Sequence, residues 1–186
     1  MARSNAAQSS APISHSLVIA AARGLNLPLV WNCGGYDALD ALALLDGVVD
    51  IYMPDFKFWE PATAKRLAKA EDYPERARAA FREMHRQVGV LHCSPDGLAR
   101  RGVLVRHLVM PGLLDESSAI FEFLARELSP DTFVNVMAQY HPDHLVGARA
   151  ADGVVLFSEF NRRCTSAEMR EAFNAARAAG LWRFDE

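Results

Sequence analysis

Cysteine is scarce in this chain and nowhere paired. Cys33, Cys93 and Cys164 lie 60 and 71 residues apart, which excludes a local zinc knot and a disulfide framework and suits a reducing compartment. Each isolated thiol reads as a small, semi-buried side chain. A charge excess is also lacking. A formal net charge of −3 and a pI near 6.1 leave no electrostatic footprint for nucleic acid or an anionic membrane. The opening "MARSNAAQSSAPISHS" has no apolar run of the secretory kind, and "LVIAAARGLNLPLV" is broken by Arg23, Gly24, Asn26 and Pro28. These absences predict a cytosolic protein with neither nucleic acid nor membrane among its partners.

What is present alternates. Strands are expected over 27–33 ("LPLVWNC"), 47–56 ("GVVDIYMPDF"), 102–110 ("GVLVRHLVM") and 131–140 ("DTFVNVMAQY"), each short, rich in Val, Ile or aromatics and bounded by turn residues. Helices are expected over 14–23, 37–45, 61–70, 74–88, 115–128 and 165–179. Pro stands at or near the first turn of two of them, and "TSAE" (165–168) forms a capping box ahead of the last, which Gly180 closes. The strands read as near-continuous apolar runs, as in a parallel sheet covered on both faces. The fold class is therefore α/β, with residues 14–186 forming one domain after a loose segment at 1–13.

In parallel α/β folds ligands gather where the carboxyl ends of strands meet helix N-termini. Polar residues fall there on four consecutive strands: Asn32, Cys33, Gly34 and Gly35; Asp55 and Lys57; Arg106; and Gln139, Tyr140, His141 and His144. Asp55 and Lys57, two apart, share a face if the strand continues. Taken alone, they read equally well as a solvated strand end or a helix cap. Arg106 is different, because a guanidinium within an apolar strand requires an anionic or hydrogen-bonding partner. His107 alternates to the opposite face, where it is expected to pack beneath a helix. "HPDH" (141–144) is either two metal ligands at i and i+3 or an exposed loop.

Taken together, "GLNLPLVWNCGGYD", "LLDGVVDIYMPDFKFW", "DYPERARAAFREMHRQVG", "RRGVLVRHLVMPG", "LSPDTFVNVMAQYHP" and "EFNRR" resemble the pyruvate formate-lyase activating enzyme-like branch of the radical S-adenosylmethionine proteins. The resemblance runs from about residue 14 to the C-terminus, with residues 145–157 fitting poorly. It implies the C-terminal half of a partial (β/α) barrel, its parallel strands alternating with helices. The cofactors it implies are S-adenosylmethionine and a [4Fe–4S] cluster, whose electron cleaves the sulfonium to a 5′-deoxyadenosyl radical. A glycyl-radical enzyme is the protein substrate of some relatives. By the same resemblance Asn32, Cys33, Gly34, Asp55, Lys57, Arg106 and His141 belong to the cofactor pocket, with Lys57 suited to the methionine carboxylate and His141 near the nucleoside.

The family's C-x3-C-x2-C cluster motif is absent from this chain. Set against the family, the sequence reads as N-terminally truncated, with no cluster ligands and no expected catalysis of its own. Two other functions fit the same residues: a metal-dependent barrel hydrolase using His141, His144 and Asp55, and a nucleoside-binding module without catalysis. Removal of the preceding strands would leave 27–33 as an exposed sheet edge, so self-association is expected.

Overall fold

The structure is a computed structural model that describes residues 16–185. Residues 16–22 form helix α1; the expectations for the first thirteen residues, and for a helix start at 14, fall outside the described range. There follow β1 (Val30–Cys33), α2 (Leu39–Ala43), β2 (Ile51–Pro54), α3 (Pro61–Ala68), α4 (Tyr73–Val88), β3 (His92–Cys93), β4 (Ala99–Leu108), α5 (Leu114–Phe123), β5 (Phe133–Met137), α6 (Ser166–Ala178) and β6 (Arg183–Phe184). A π-helical turn over Leu124–Leu128 extends α5, and a 3-10 turn spans Ser158–Phe160.

Local chemistry accounts for the helix limits. Proline occupies the first turn of both α3 and α4, where its missing amide costs nothing. Thr165 accepts from the Glu168 amide while Glu168 reaches back to the Thr165 amide, so α6 opens on the expected capping box. Gly102, at φ +125°, admits the chain crossing beside it, since a Cβ there would stand 2.2 Å from the Val90 carbonyl oxygen.

The sheet runs β1-β2-β4-β5-β6, all parallel, and β3 pairs antiparallel with the start of β4. Spatial order follows chain order without reversal. That is the arrangement of a barrel segment, whereas a doubly wound sheet reverses at its switch point. The chain is α/β, a mostly parallel six-stranded sheet alternating with helices and consistent with a partial barrel.

One expectation needs correction. Among the described residues the sheet is covered on one face, not two. Tyr52, Val103, Val105, His107, Val134 and Val136 are buried in the core with residues of α4, α5 and α6, whereas Met53, Leu104, Arg106, Phe133, Asn135 and Met137 alternate with them and remain partly exposed. The period of two is present, but apolar residues on the open side conceal it in the sequence.

Among the described residues, the outer edge of β1 has no strand partner. Around it Val18, Leu25, Leu27, Val30, Leu44 and Val48 are exposed, and a cleft of about 710 Å³ opens between α1 and the starts of β1 and β2. An unpaired edge beside apolar surface recruits other chains. The chain is therefore expected to self-associate at tens of micromolar. Light scattering should show mass rising with concentration, and Val30→Lys, which puts a charge on that edge, should weaken association by about tenfold. A wild-type mass that stays monomeric would show that the edge is not adhesive. No helix among the described residues is long and apolar enough to cross a membrane.

Candidate functional site

Register places the polar residues in one row. Cys33 stands opposite Pro54, Asp55 bridges to Arg106, and Arg106 lies beside Asn135. Gly34, Asp55, Arg106 and Asn135 thus follow one another across the carboxyl half of the sheet. Arg106 and Asn135 lie among the partly exposed positions of the open face.

Asp55 is the centre of this row. Its Oδ1 accepts from Arg106 Nε at 2.7 Å and lies 2.6 Å from Arg106 Nη2, and its Oδ2 accepts from Lys57 Nζ at 2.7 Å. Arg106 Nη2 also donates to Asn32 Oδ1 at 2.9 Å. Two cations therefore meet one carboxylate, leaving an excess of one positive charge. The side chains of Lys57, Asp55 and Arg106 retain 38%, 20% and 26% of their exposure, so a dissolved anion can reach them. Such a constellation favours a carboxylate or phosphate ligand through charge-assisted hydrogen bonds.

The segment bearing Lys57 is held by its backbone. The Asp55 amide donates to Cys33 and the Phe56 amide to Arg106, which extends the sheet past β2. The Lys57 amide donates to the hydroxyl oxygen of Tyr73 at 2.9 Å. The buried carboxylate of Glu116, in the first turn of α5, accepts from the Trp59 and Glu60 amides at 2.7 and 3.0 Å. His107, buried on the covered face as expected, holds the Phe56 carbonyl at 2.8 Å through Nδ1, and its Nε2 meets Ser117 Oγ at 2.8 Å. A carbonyl only accepts, so the proton of a neutral His107 sits on Nδ1 and Ser117 donates to Nε2.

Not every residue expected in the pocket joins this cluster. The Cys33 side chain packs against the core on the other face, and its contribution to the row is its carbonyl. Burial, followed by the Asp37 carboxylate, raises the pKa of its thiol, so it stays protonated. His141 is exposed, with its ring 3.4 Å from the Pro142 carbonyl oxygen, and among the described residues no hydrogen bond or ion pair links it to Asp55, Lys57 or Arg106. His144 is also exposed and lines a separate, largely apolar cavity with Phe58 and Tyr140. Among the described residues no three His, Cys, Asp or Glu side chains come together as a metal would require, so the hydrolase reading finds no ligand set. Nothing in the sequence singles out Tyr73 and Glu116. A buried hydroxyl and a buried carboxylate at helix starts look like ordinary amphipathic and first-turn residues.

Comparison with known proteins adds one relative. No family model matches the chain. It is 32% identical over 157 residues to the uncharacterized protein MJ0674 of Methanocaldococcus jannaschii, a match that takes in 84% of this chain and 40% of that protein. The chain thus spans about two fifths of the length of that relative.

His107 gives the site's support a pH signature. Burial lowers its pKa from 6.5 to about 4, against the raising effects of the Phe56 carbonyl and Glu116. Above pH 7 the ring is neutral whether the chain is folded or unfolded. Between pH 6.5 and 4 the unfolded chain binds a proton that the folded one refuses, so this group lowers stability as pH falls. Between pH 7 and pH 5 the loss is about 2 kcal/mol. Urea unfolding at the two pH values should show it, and His107→Asn should flatten the slope by that amount. An unchanged slope in the variant would exclude His107 as its source.

Proposed function

We propose that this chain carries the carboxylate-binding wall of an S-adenosylmethionine pocket and belongs to the pyruvate formate-lyase activating enzyme-like branch of the radical S-adenosylmethionine proteins. The observation that carries this reading is the convergence of Lys57 and Arg106 on Asp55 at the ends of adjacent parallel strands, on a sheet face that no helix among the described residues covers. Lys57 would bind the methionine carboxylate, with Asn32 and the backbone at Gly34 beside it. The partner in this reading is a protein substrate such as the glycyl-radical enzymes of some relatives, and the compartment is the cytosol.

The two cofactors of that family fare differently against the residues present. S-adenosylmethionine fits, since a ligand anion finds excess positive charge at half-exposed donors. A [4Fe–4S] cluster does not fit. It needs three local thiolates, whereas Cys33 ends β1 facing the core, Cys93 is exposed on β3, and Cys164 precedes α6 with its thiol donating to the Val109 carbonyl. The activity proposed for the chain alone is therefore binding, and no reductive step is assigned to it.

Ligand-observed NMR, which detects millimolar affinities, tests the binding. Lys57→Ala removes a charge-assisted hydrogen bond and should cost about 1.5–3 kcal/mol, roughly a ten- to hundredfold loss of affinity for S-adenosylmethionine. Lys65→Ala is the control. That ammonium pairs with exposed Glu71 and should matter little. Equal, small effects would reduce Asp55 and Lys57 to a solvated strand end.

A second experiment addresses the cluster. Anaerobic reconstitution with iron and sulfide should yield no stable cluster absorption, and under reducing conditions no 5′-deoxyadenosine should form. Iron approaching about four per chain, with nucleoside product, would show that a ligand set exists after all.

A further inference from the structure

We infer that Tyr73 is a positioning residue whose hydroxyl pins the loop after β1 to the loop after β2, fixing the distance between the Gly34 backbone and Lys57. The inference deepens the reading of that cluster as a carboxylate-binding wall and rests on it.

Tyr73 is the first residue of α4 and is 4% exposed. Its oxygen accepts from the Lys57 amide and stands 3.1 Å from the Gly34 carbonyl oxygen and 2.9 Å from that of Asp55. A phenol has one proton, so it donates to one of these carbonyls or is shared between them, while a lone pair takes the amide. One side-chain atom therefore serves three backbone groups on two loops. Glu116 and His107 also hold the segment after β2, but their hydrogen bonds among the described residues go to Trp59, Glu60, Phe56 and Ser117, not to the β1 loop.

Packing accounts for the ring but not for the hydroxyl. The ring meets Tyr36, Phe56 and Phe58 at centroid distances of 5.7, 6.5 and 5.8 Å, contacts that phenylalanine would make equally well. A hydroxyl at this depth is favourable only when matched. Burial also raises the pKa of the phenol, so the proton is retained.

The loops it joins are already in contact. Gly35 has φ +72°, and a Cβ there would stand 2.4 Å from the Asp55 carbonyl oxygen; at Gly34 it would stand 3.6 Å from Lys57 Nζ. The ammonium thus lies over the glycine backbone, and displacement of either loop alters the gap that a ligand carboxylate must enter. Small misplacements of binding groups are costly in such sites.

Amide hydrogen exchange on the whole chain, read by NMR, tests the pin. In the wild type the Lys57 amide should be protected like that of Val134 in β5, although it lies beyond the end of β2. In Tyr73→Phe its exchange should accelerate at least tenfold more than that of Val134. Affinity for S-adenosylmethionine should fall three- to tenfold, while 5′-methylthioadenosine, which lacks the carboxylate, binds as before.

Rapid exchange of Lys57 in the wild type would overturn the proposal, and that measurement decides even if Tyr73→Phe fails to fold. Uniform acceleration across the sheet would also overturn it, reducing Tyr73 to core packing. So would local acceleration without loss of S-adenosylmethionine affinity. If the wild type binds no S-adenosylmethionine, the carboxylate-wall reading fails by itself, and the exchange comparison still decides whether Tyr73 pins the loops.

Discussion

Two cations compete for the Asp55 carboxylate, and the architecture around it serves to keep all three groups where they are. Placing Lys57 and Arg106 side by side would be repulsive without the anion between them. With it, one charge of the pair is neutralised and the other remains available at the open face. The strand alternation that brings Arg106 and Asp55 to this face sends Val105, His107 and Tyr52 to the covered one. The hydrophobic core thus aims the polar row. Slipping either strand by one residue would exchange the two sets and bury a guanidinium among aromatics, so the register is strongly specified.

The segment after β2 shows how a strand end is made rigid once ladder partners run out. From the Asp55 amide to the Lys57 amide, each backbone polar group has a partner: Cys33, Tyr73, Arg106, His107 and again Tyr73. Glu116 then takes the two amides leading into α3. Buried backbone groups that lack partners are costly, so each anchor removes a penalty as well as a degree of freedom. Three elements distant in sequence, α4, β4 and α5, supply the side chains. The loop that carries Lys57 is therefore built by the domain as a whole.

Much of this was legible in the sequence, and what was not has physical reasons. Helix limits were readable to within a few residues, because Pro61, Pro74, Thr165 with Glu168, and Gly180 act locally. Strand limits differ more: β1, β2 and β5 are shorter than the runs 27–33, 47–56 and 131–140, and β4 is shifted to Ala99–Leu108 from 102–110, since an apolar residue beside a turn looks like one inside a ladder. The two-residue strands β3 and β6 are too short to carry a period. The open face escaped notice because Met53, Leu104, Phe133 and Met137 are apolar despite their partial exposure. In the site, Asp55, Lys57 and Arg106 stood out as charges in apolar surroundings, and all three converge. Tyr73 and Glu116 did not, because their work is done on the backbone of distant residues, which no spacing within one segment records.

That Lys57 is already paired bears on how it can bind anything else. An ammonium has three donors, and the Asp55 contact at 2.7 Å engages one of them. A second carboxylate can take another without dissolving the first pair, provided it approaches from the open side. In the proposed site Asp55 is a fixed counterion, not a competitor: a lysine side chain already held by its 2.7 Å contact with Asp55 would lose less entropy on meeting a ligand anion. Arg106 completes the arrangement by occupying the other carboxylate oxygen, which restrains Asp55 from turning. The excess positive charge is thereby directed outward, toward the face that the strand alternation leaves uncovered.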